Sequence, residues 1–190
     1  MKKYFYGNII ALICVAVGIV LHFLMPEVDA GLFTVINGMH FDLLDKIMLS
    51  VSYCGDTVVI IIALLLLGRL KGAEKFLRSL LAVVLAGVLV HLIKGIFPSP
   101  RPLGVLADVR VLGPALRVST FPSGHACSIF ALGVVTGEEF KNLFPFYLAL
   151  AILVGISRIY VGAHFPADVI FGAGLGYLAG NIYLAGRKSE

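Results

Sequence analysis

The feature that most limits what this chain can become is a recurrence of apolar runs, each long enough to cross the roughly 30 Å hydrocarbon core of a bilayer. Of 190 residues, 59% are hydrophobic and 14% charged, and mean hydropathy is +1.01. A soluble domain carries about 25% charged residues. Six spans fit the pattern, at about 8–25, 54–68, 79–97, 122–137, 142–160 and 166–186. The expected architecture is all-α: a six-transmembrane-helix bundle forming one integral membrane domain, 1–190, with no room for a soluble domain. Small residues are frequent in the last three spans, as they are where helix backbones approach closely. Gly172, Gly176 and Gly180 lie along one face of the sixth, and packing within the bundle explains them better than a dimer seam.

The first run follows Lys2 and Lys3. It exceeds the roughly 7–15 apolar residues of a signal peptide and lacks a small-x-small cleavage site, so it reads as a retained span. Cys14, Cys54 and Cys127 are scattered and offer neither a disulfide framework nor a metal-ligand spacing. Lys2, Lys3, Arg69, Lys71, Lys75, Arg78, Lys141, Arg187 and Lys188 fall on one side of six spans. The positive-inside rule makes that side cytoplasmic, with both termini. Between the first two spans, Phe33, Ile36, Phe41, Leu44, Ile47 and Met48 recur at helical intervals within 26–53. This predicts one amphipathic helix lying in the outer interface. The loop 98–121 carries Pro98, Pro100, Pro102, Gly104, Gly113 and Pro114, which predicts turns.

Three polar islands interrupt this apolar sequence, all on the outer side. They are Lys94 with Arg101-Pro102, then Pro122-Ser123-Gly124-His125, then Ser157-Arg158 with His164 and Asp168. Cleaving a phosphate ester requires fixed positive charge on its oxygens, a nucleophile for phosphorus and an acid for the departing oxygen. Lys94, Arg101 and Arg158 supply the charge, Arg as a planar fork and Lys as a point. Ser123 and Gly124 open the fourth span, where N–H groups without intrahelical partners suit an anion. Residue types alone leave His125 and His164 interchangeable. Asp168, four residues after His164 in the first turn of the sixth span, can hold one ring nitrogen and leave the other as nucleophile. This favours His164 as nucleophile and His125 as acid.

Lys94-x6-Arg101-Pro102, Pro122-Ser123-Gly124-His125 and Ser157-Arg158-x5-His164-x3-Asp168 together resemble the three-part signature of the type 2 phosphatidic acid phosphatase superfamily, in its membrane branch. The match covers 94–168 in the right order. The resemblance implies metal-independent hydrolysis through a phosphohistidine, with no cofactor, on a six-helix core whose site faces outward. It also implies that Lys94, Arg101, Ser123, Gly124 and Arg158 bind phosphate while His125, His164 and Asp168 carry the chemistry.

Each residue also has a plainer reading. Lys94 can snorkel at a helix end, Arg158 can bridge to Asp168, and the histidines can bind zinc, although three adjacent cations would repel the metal. His22, His40 and His91 lack motif partners and read as structural or interfacial. Arg110 and Arg117 are head-group contacts or solvated loop charges, and Asp56 reads as a helix cap. The expected partners are a phosphorylated membrane lipid and the bilayer, with no nucleic acid. The location is a bacterial inner membrane with the site on the periplasmic side. A short chain of this kind resembles bacterial undecaprenyl diphosphate phosphatases. Lipid A 1-phosphate, phosphatidylglycerol phosphate and lipid-to-lipid phosphotransfer remain alternatives, because the motifs are shared.

Overall fold

The computed structural model describes residues 2–114 and 119–185. All regular structure among them is helical: α1 (Lys2–Ile19), extended by a π turn (Val20–Leu24), then α2 (Pro26–Gly38), α3 (Asp42–Tyr53), α4 (Thr57–Lys71), α5 (Ala73–Ile96), α6 (Gly124–Glu139), α7 (Phe144–Tyr160) and α8 (Pro166–Ala185). Arg117, Arg187 and Lys188 lie outside the described residues.

Local chemistry sets the helix ends. Asp56 caps α4, its carboxylate accepting the Val58 N–H at 3.0 Å, as its position suggested. Gly72, at φ +97°, closes α4, because that backbone conformation favours glycine. Pro145 lies in the first turn of α7 and Pro166 begins α8, where a missing N–H costs nothing. Among the described residues of the loop after α5, the regular structure is a 3-10 turn at Pro102–Gly104, in keeping with its prolines and glycines.

The segment 26–53 differs from expectation. Two helices stand where one was predicted, broken at 39–41, with Phe41 fully extended. Gly38 ends the first weakly, and Asp42 and Asp45 favour the start of the second, since carboxylates suit a helix N-terminus. The polar side of α2 does not face water either. Asn37 is buried and donates to the carbonyls of Tyr160 (2.7 Å) and Arg110 (2.8 Å). Its own carbonyl accepts the Arg110 N–H.

Among the described residues, three helical stretches are long and apolar enough to cross a membrane: Tyr6–Leu24, Ala73–Ile96 and Lys141–Tyr160. The pair α3–α4, bent by 57° at its break, adds a fourth only if the two form one span. At 15 and 16 residues, α4 and α6 fall short of the roughly 20 residues of a straight crossing.

The centre of the bundle is α8, packed on α6, α1 and α5. Gly172, Gly176 and Gly180 face Ser123, Cys127 and Ala131 of α6 in parallel register. The small-residue face is therefore used inside the chain. A side chain on Gly176 would run into the Cys127 backbone, and that close approach brings the N-termini of α6 and α8 together. Gly176→Val is expected to destabilise the fold by about 1–3 kcal/mol through overpacking. Thermal unfolding in detergent checks this, and an unchanged midpoint would show that the helices do not meet here.

Candidate active site

Five helix termini meet at one end of the bundle. The end of α5 brings Lys94, the start of α6 brings Ser123 to His125, the end of α7 brings Arg158, and the start of α8 brings Asp168. The π turn after α1 completes the set. After α7 the chain reverses at Gly162, φ +77°, packed so closely on the Arg110 carbonyl that a Cβ would collide with it. The Arg158 carbonyl then accepts the N–H groups of Ala163 (3.1 Å) and His164 (3.2 Å), which fixes the histidine's backbone.

His164 and Asp168 are 2% and 0% exposed. His164 Nδ1 lies 3.2 Å from Asp168 Oδ2. The same oxygen accepts the Phe165 N–H at 2.9 Å and the Thr120 hydroxyl. With Nδ1 turned to the carboxylate, Nε2 is the free ring nitrogen. Burial, followed by the charges of Arg101, Arg158 and Lys94, holds the His164 pKa well below its ordinary value.

A cavity of about 120 Å³ is lined by Ser52, Asp56, Arg101, His125, Arg158 and Ala163, among others. That is the space of a few waters at ~30 Å³ each, the scale of one phosphate group. The cations are held by neutral oxygens. Arg101 Nη1 donates to the Ala163 carbonyl at 2.5 Å, and burial lowers its pKa from the usual guanidinium value. Arg158 donates from Nη1 to the Ser52 hydroxyl, while its Nε has no partner among the described residues. Lys94 Nζ donates to the carbonyls of Ser119 (2.5 Å) and Thr120 (3.0 Å), fixing the loop before the Pro-Ser-Gly-His island, and it is not a lining residue. The bridge between Arg158 and Asp168 that would have made both structural is not formed among the described residues.

Ser123 differs in part from its sequence reading. Its N–H is taken by the Asp168 carbonyl at 2.9 Å, and its hydroxyl caps the Ala126 N–H at 3.4 Å. The first-turn N–H groups of Gly124 and His125 remain as donors without intrahelical acceptors.

Sequence reasoning missed several contributors. Thr120 and Ser52 hold site side chains but carry no motif. Asp29 of α2 is buried and accepts the Ala167 N–H at 2.8 Å, capping α8 across 138 residues. Burial pushes its carboxyl up to about 6, against the Ala167 hydrogen bond and with the neighbouring Asp168 charge. Arg110 keeps a solvent-exposed side chain but is paired: both its terminal nitrogens bond Asp45, one at 2.7 Å. Tyr160 donates to the same carboxylate at 2.6 Å. His91 bonds its own helix at the Gly87 carbonyl, as a structural histidine would. The His22 ring is stacked against Phe121, with Nδ1 3.9 Å from Asp168 Oδ1.

Bilayer-length apolar helices that close on a small cavity lined by two arginines and a histidine, with a buried imidazole–carboxylate pair beginning one residue after the lining Ala163, fit a membrane-embedded protein that handles phosphate. Comparison with known proteins agrees. The chain matches the PAP2 superfamily model over residues 75–189, and it belongs to that superfamily. It is 32% identical to an undecaprenyl-diphosphatase of Sulfolobus acidocaldarius, covering 93% of this chain and 88% of that one. It is 30% identical to a lipid A 4'-phosphatase of Porphyromonas gingivalis, covering 85% and 75% respectively. The crystal structure of Aquifex aeolicus LpxE superposes with a TM-score of 0.76 at 35% identity, over 82% of this chain and 93% of that one.

If Asp29 anchors α8, Asp29→Ala should cost about 1 kcal/mol, the usual effect of losing a cap. Asp29→Asn, which keeps an acceptor oxygen, should cost less. Thermal midpoints in detergent distinguish the two, and equal losses would mean that the carboxylate does not act as a cap.

Proposed function

We propose that this chain removes the terminal phosphate of an envelope lipid at the outer face of a bacterial inner membrane, with undecaprenyl diphosphate as the leading substrate. The observation that carries this is the buried His164–Asp168 pair, 3.2 Å apart, directly after Ala163 of a cavity that Arg101, His125 and Arg158 also line. Membership in the PAP2 superfamily, with relatives named as lipid phosphatases and diphosphatases, makes the chain a membrane lipid phosphatase.

The reaction proceeds in two displacements. His164 Nε2 attacks phosphorus, the bond from phosphorus to the lipid-side oxygen breaks, and that oxygen takes a proton from His125. Asp168 keeps Nδ1 protonated and steadies the positive charge that develops on the ring. Water then attacks the phosphohistidine and passes its proton to His125 as the P–N bond breaks. Inorganic phosphate leaves, and His164 is restored. Arg101, Arg158 and the Gly124 and His125 N–H groups stabilise the equatorial oxygens at both transition states. Lys94 contributes positive charge while holding the loop. This assignment uses no metal.

In this reading α1, α4, α5, α6, α7 and α8 each cross the bilayer, and α2 and α3 lie at its outer surface. Lys and Arg near the opposite end support a cytoplasmic placement of both termini. A lipid substrate is favoured by the setting, because a phosphate cavity near the bilayer surface suits a head group anchored in the same membrane. The apolar groove between α4 and α5, about 540 Å³ and lined by Ile60, Leu64, Val84 and Leu92, begins one residue from Asp56 of the cavity and suits an acyl or prenyl tail.

Two experiments test the reading. Purified protein in detergent with EDTA is offered undecaprenyl diphosphate, phosphatidylglycerol phosphate and lipid A, and phosphate release is followed. Release is expected from undecaprenyl diphosphate first, falling to background in His164→Ala and by about 10²–10⁴-fold in His125→Ala. Faster release from lipid A or phosphatidylglycerol phosphate reassigns the substrate. Loss in EDTA with rescue by zinc overturns the metal-free route, and a doubly phosphorylated lipid without matching free phosphate indicates phosphotransfer. For orientation, Val105→Cys, at an exposed loop position, is introduced with Cys14, Cys54 and Cys127 replaced by alanine. An impermeant thiol reagent is expected to label it in intact cells; labelling only after permeabilisation inverts the topology.

A further inference from the structure

Asp168 uses its two carboxylate oxygens unequally. Oδ2 is shared by His164, Thr120 and Phe165. Oδ1 is buried and has no hydrogen-bond partner among the described residues. A buried acceptor left in that state is costly. A basic group outside the three motif islands lies close to it: His22, whose Nδ1 is 3.9 Å from Oδ1.

The His22 ring is built into place. It lies in the π turn Val20–Leu24, closed by the Met25 N–H on the Val20 carbonyl at 3.0 Å. Such wide turns recur where a helix has been adjusted for a site. The ring stacks on Phe121, with centroids 4.3 Å apart and planes 26° apart, and the edge contact with Phe23 is 4.6 Å between centroids. Its Nε2 is 3.0 Å from the Ser99 hydroxyl. The Ser99 hydroxyl also has the Phe97 carbonyl as an acceptor at 3.2 Å; when it turns to donate to Nε2 instead, the neutral ring carries its proton on Nδ1, the nitrogen nearest Asp168. At 3.9 Å no hydrogen bond is yet formed. Catalytic hydrogen bonds are often long before substrate binds and shorten in the complex.

We infer that His22 is a positioning residue for the reaction: it donates from Nδ1 to the free oxygen of Asp168 and thereby keeps Oδ2 aimed at His164. The first helix, which lies outside the three-part signature, thus supplies part of the catalytic machinery. This inference rests on the phosphohistidine reading of His164. His22 does not touch the phosphate, so its contribution falls on turnover and not on substrate capture.

The test compares three substitutions in the full-length protein with wild type and His164→Ala, using phosphate release from the preferred lipid. His22→Phe keeps the stacked ring and removes both nitrogens. His22→Asn places an amide N–H near the position of Nδ1, whereas His22→Gln places it near Nε2. His22→Phe and His22→Gln are expected to lower kcat about tenfold, the effect of leaving one buried acceptor unpaired, with KM within about twofold. His22→Asn should recover most of kcat. The inference is overturned if His22→Phe folds and turns over like wild type, or if Gln rescues and Asn does not. It is also overturned if all three lose activity in step with their thermal midpoints, since that marks a packing role. If His22→Phe fails to fold, the Asn–Gln pair alone decides. Wild-type release that survives His164→Ala would instead sink the phosphohistidine reading itself, so the two failures are distinguishable.

Discussion

A fully buried carboxylate organises this protein. Asp168 takes hydrogen bonds on one oxygen from Thr120 and Phe165 and faces His164 with the same atom, while its backbone carbonyl receives the Ser123 N–H. An ionised group without water needs several such partners to remain in place. The carboxylate's donors come from the loop before α6 and the turn before α8, and the α6 N-cap residue bonds the backbone carbonyl of the same aspartate. The arrangement of the catalytic end follows from satisfying that one group, and the glycine register between α6 and α8 lets the two helix N-termini come close enough to do so.

Much of the site was legible because its chemistry is local. His164 and Asp168 are four residues apart across a helix start, Pro122 to His125 sit at another, and Asp56 caps the helix it precedes. The glycine spacing in α8 was also readable as a packing face, since a four-residue repeat stays on one side of a helix. Side chains that complete the constellation from far away left no such trace. Asp29 meets Ala167 across 138 residues and Ser52 meets Arg158 across 106. A buried Asp in an amphipathic segment looks like any polar-face residue until its partner is known. His22 looked like an interfacial histidine for the same reason. The break in 26–53 was hidden differently: apolar spacing continues through residues 39–41, and only the inward turn of Asn37 shows that the two halves answer to different neighbours.

The network around Asp45 shows how the outer helices serve the centre. Arg110 and Tyr160 both bond Asp45, and Asn37 binds the backbone of the same two residues. Helices α2 and α3, the loop and the end of α7 are thereby tied into one unit. That unit contains Gly162 and its contact with the Arg110 carbonyl, two residues before His164. The segment expected as one surface helix is thus part of the scaffold that holds the backbone just before His164.

The way the cations are held bears on how a turnover ends. Lys94 rests on the carbonyls of Ser119 and Thr120, Arg101 on that of Ala163, and Arg158 on the Ser52 hydroxyl. All these acceptors are uncharged and belong to the fold. In a phosphatase of the proposed type, released inorganic phosphate is a small dianion facing several fixed positive charges, and it would linger if its departure left them bare. Here the neutral oxygens stay in contact as it goes. In the proposed reaction, the contacts that position the cations for attack would also loosen their hold on the departing phosphate, so that the site empties into water between cycles.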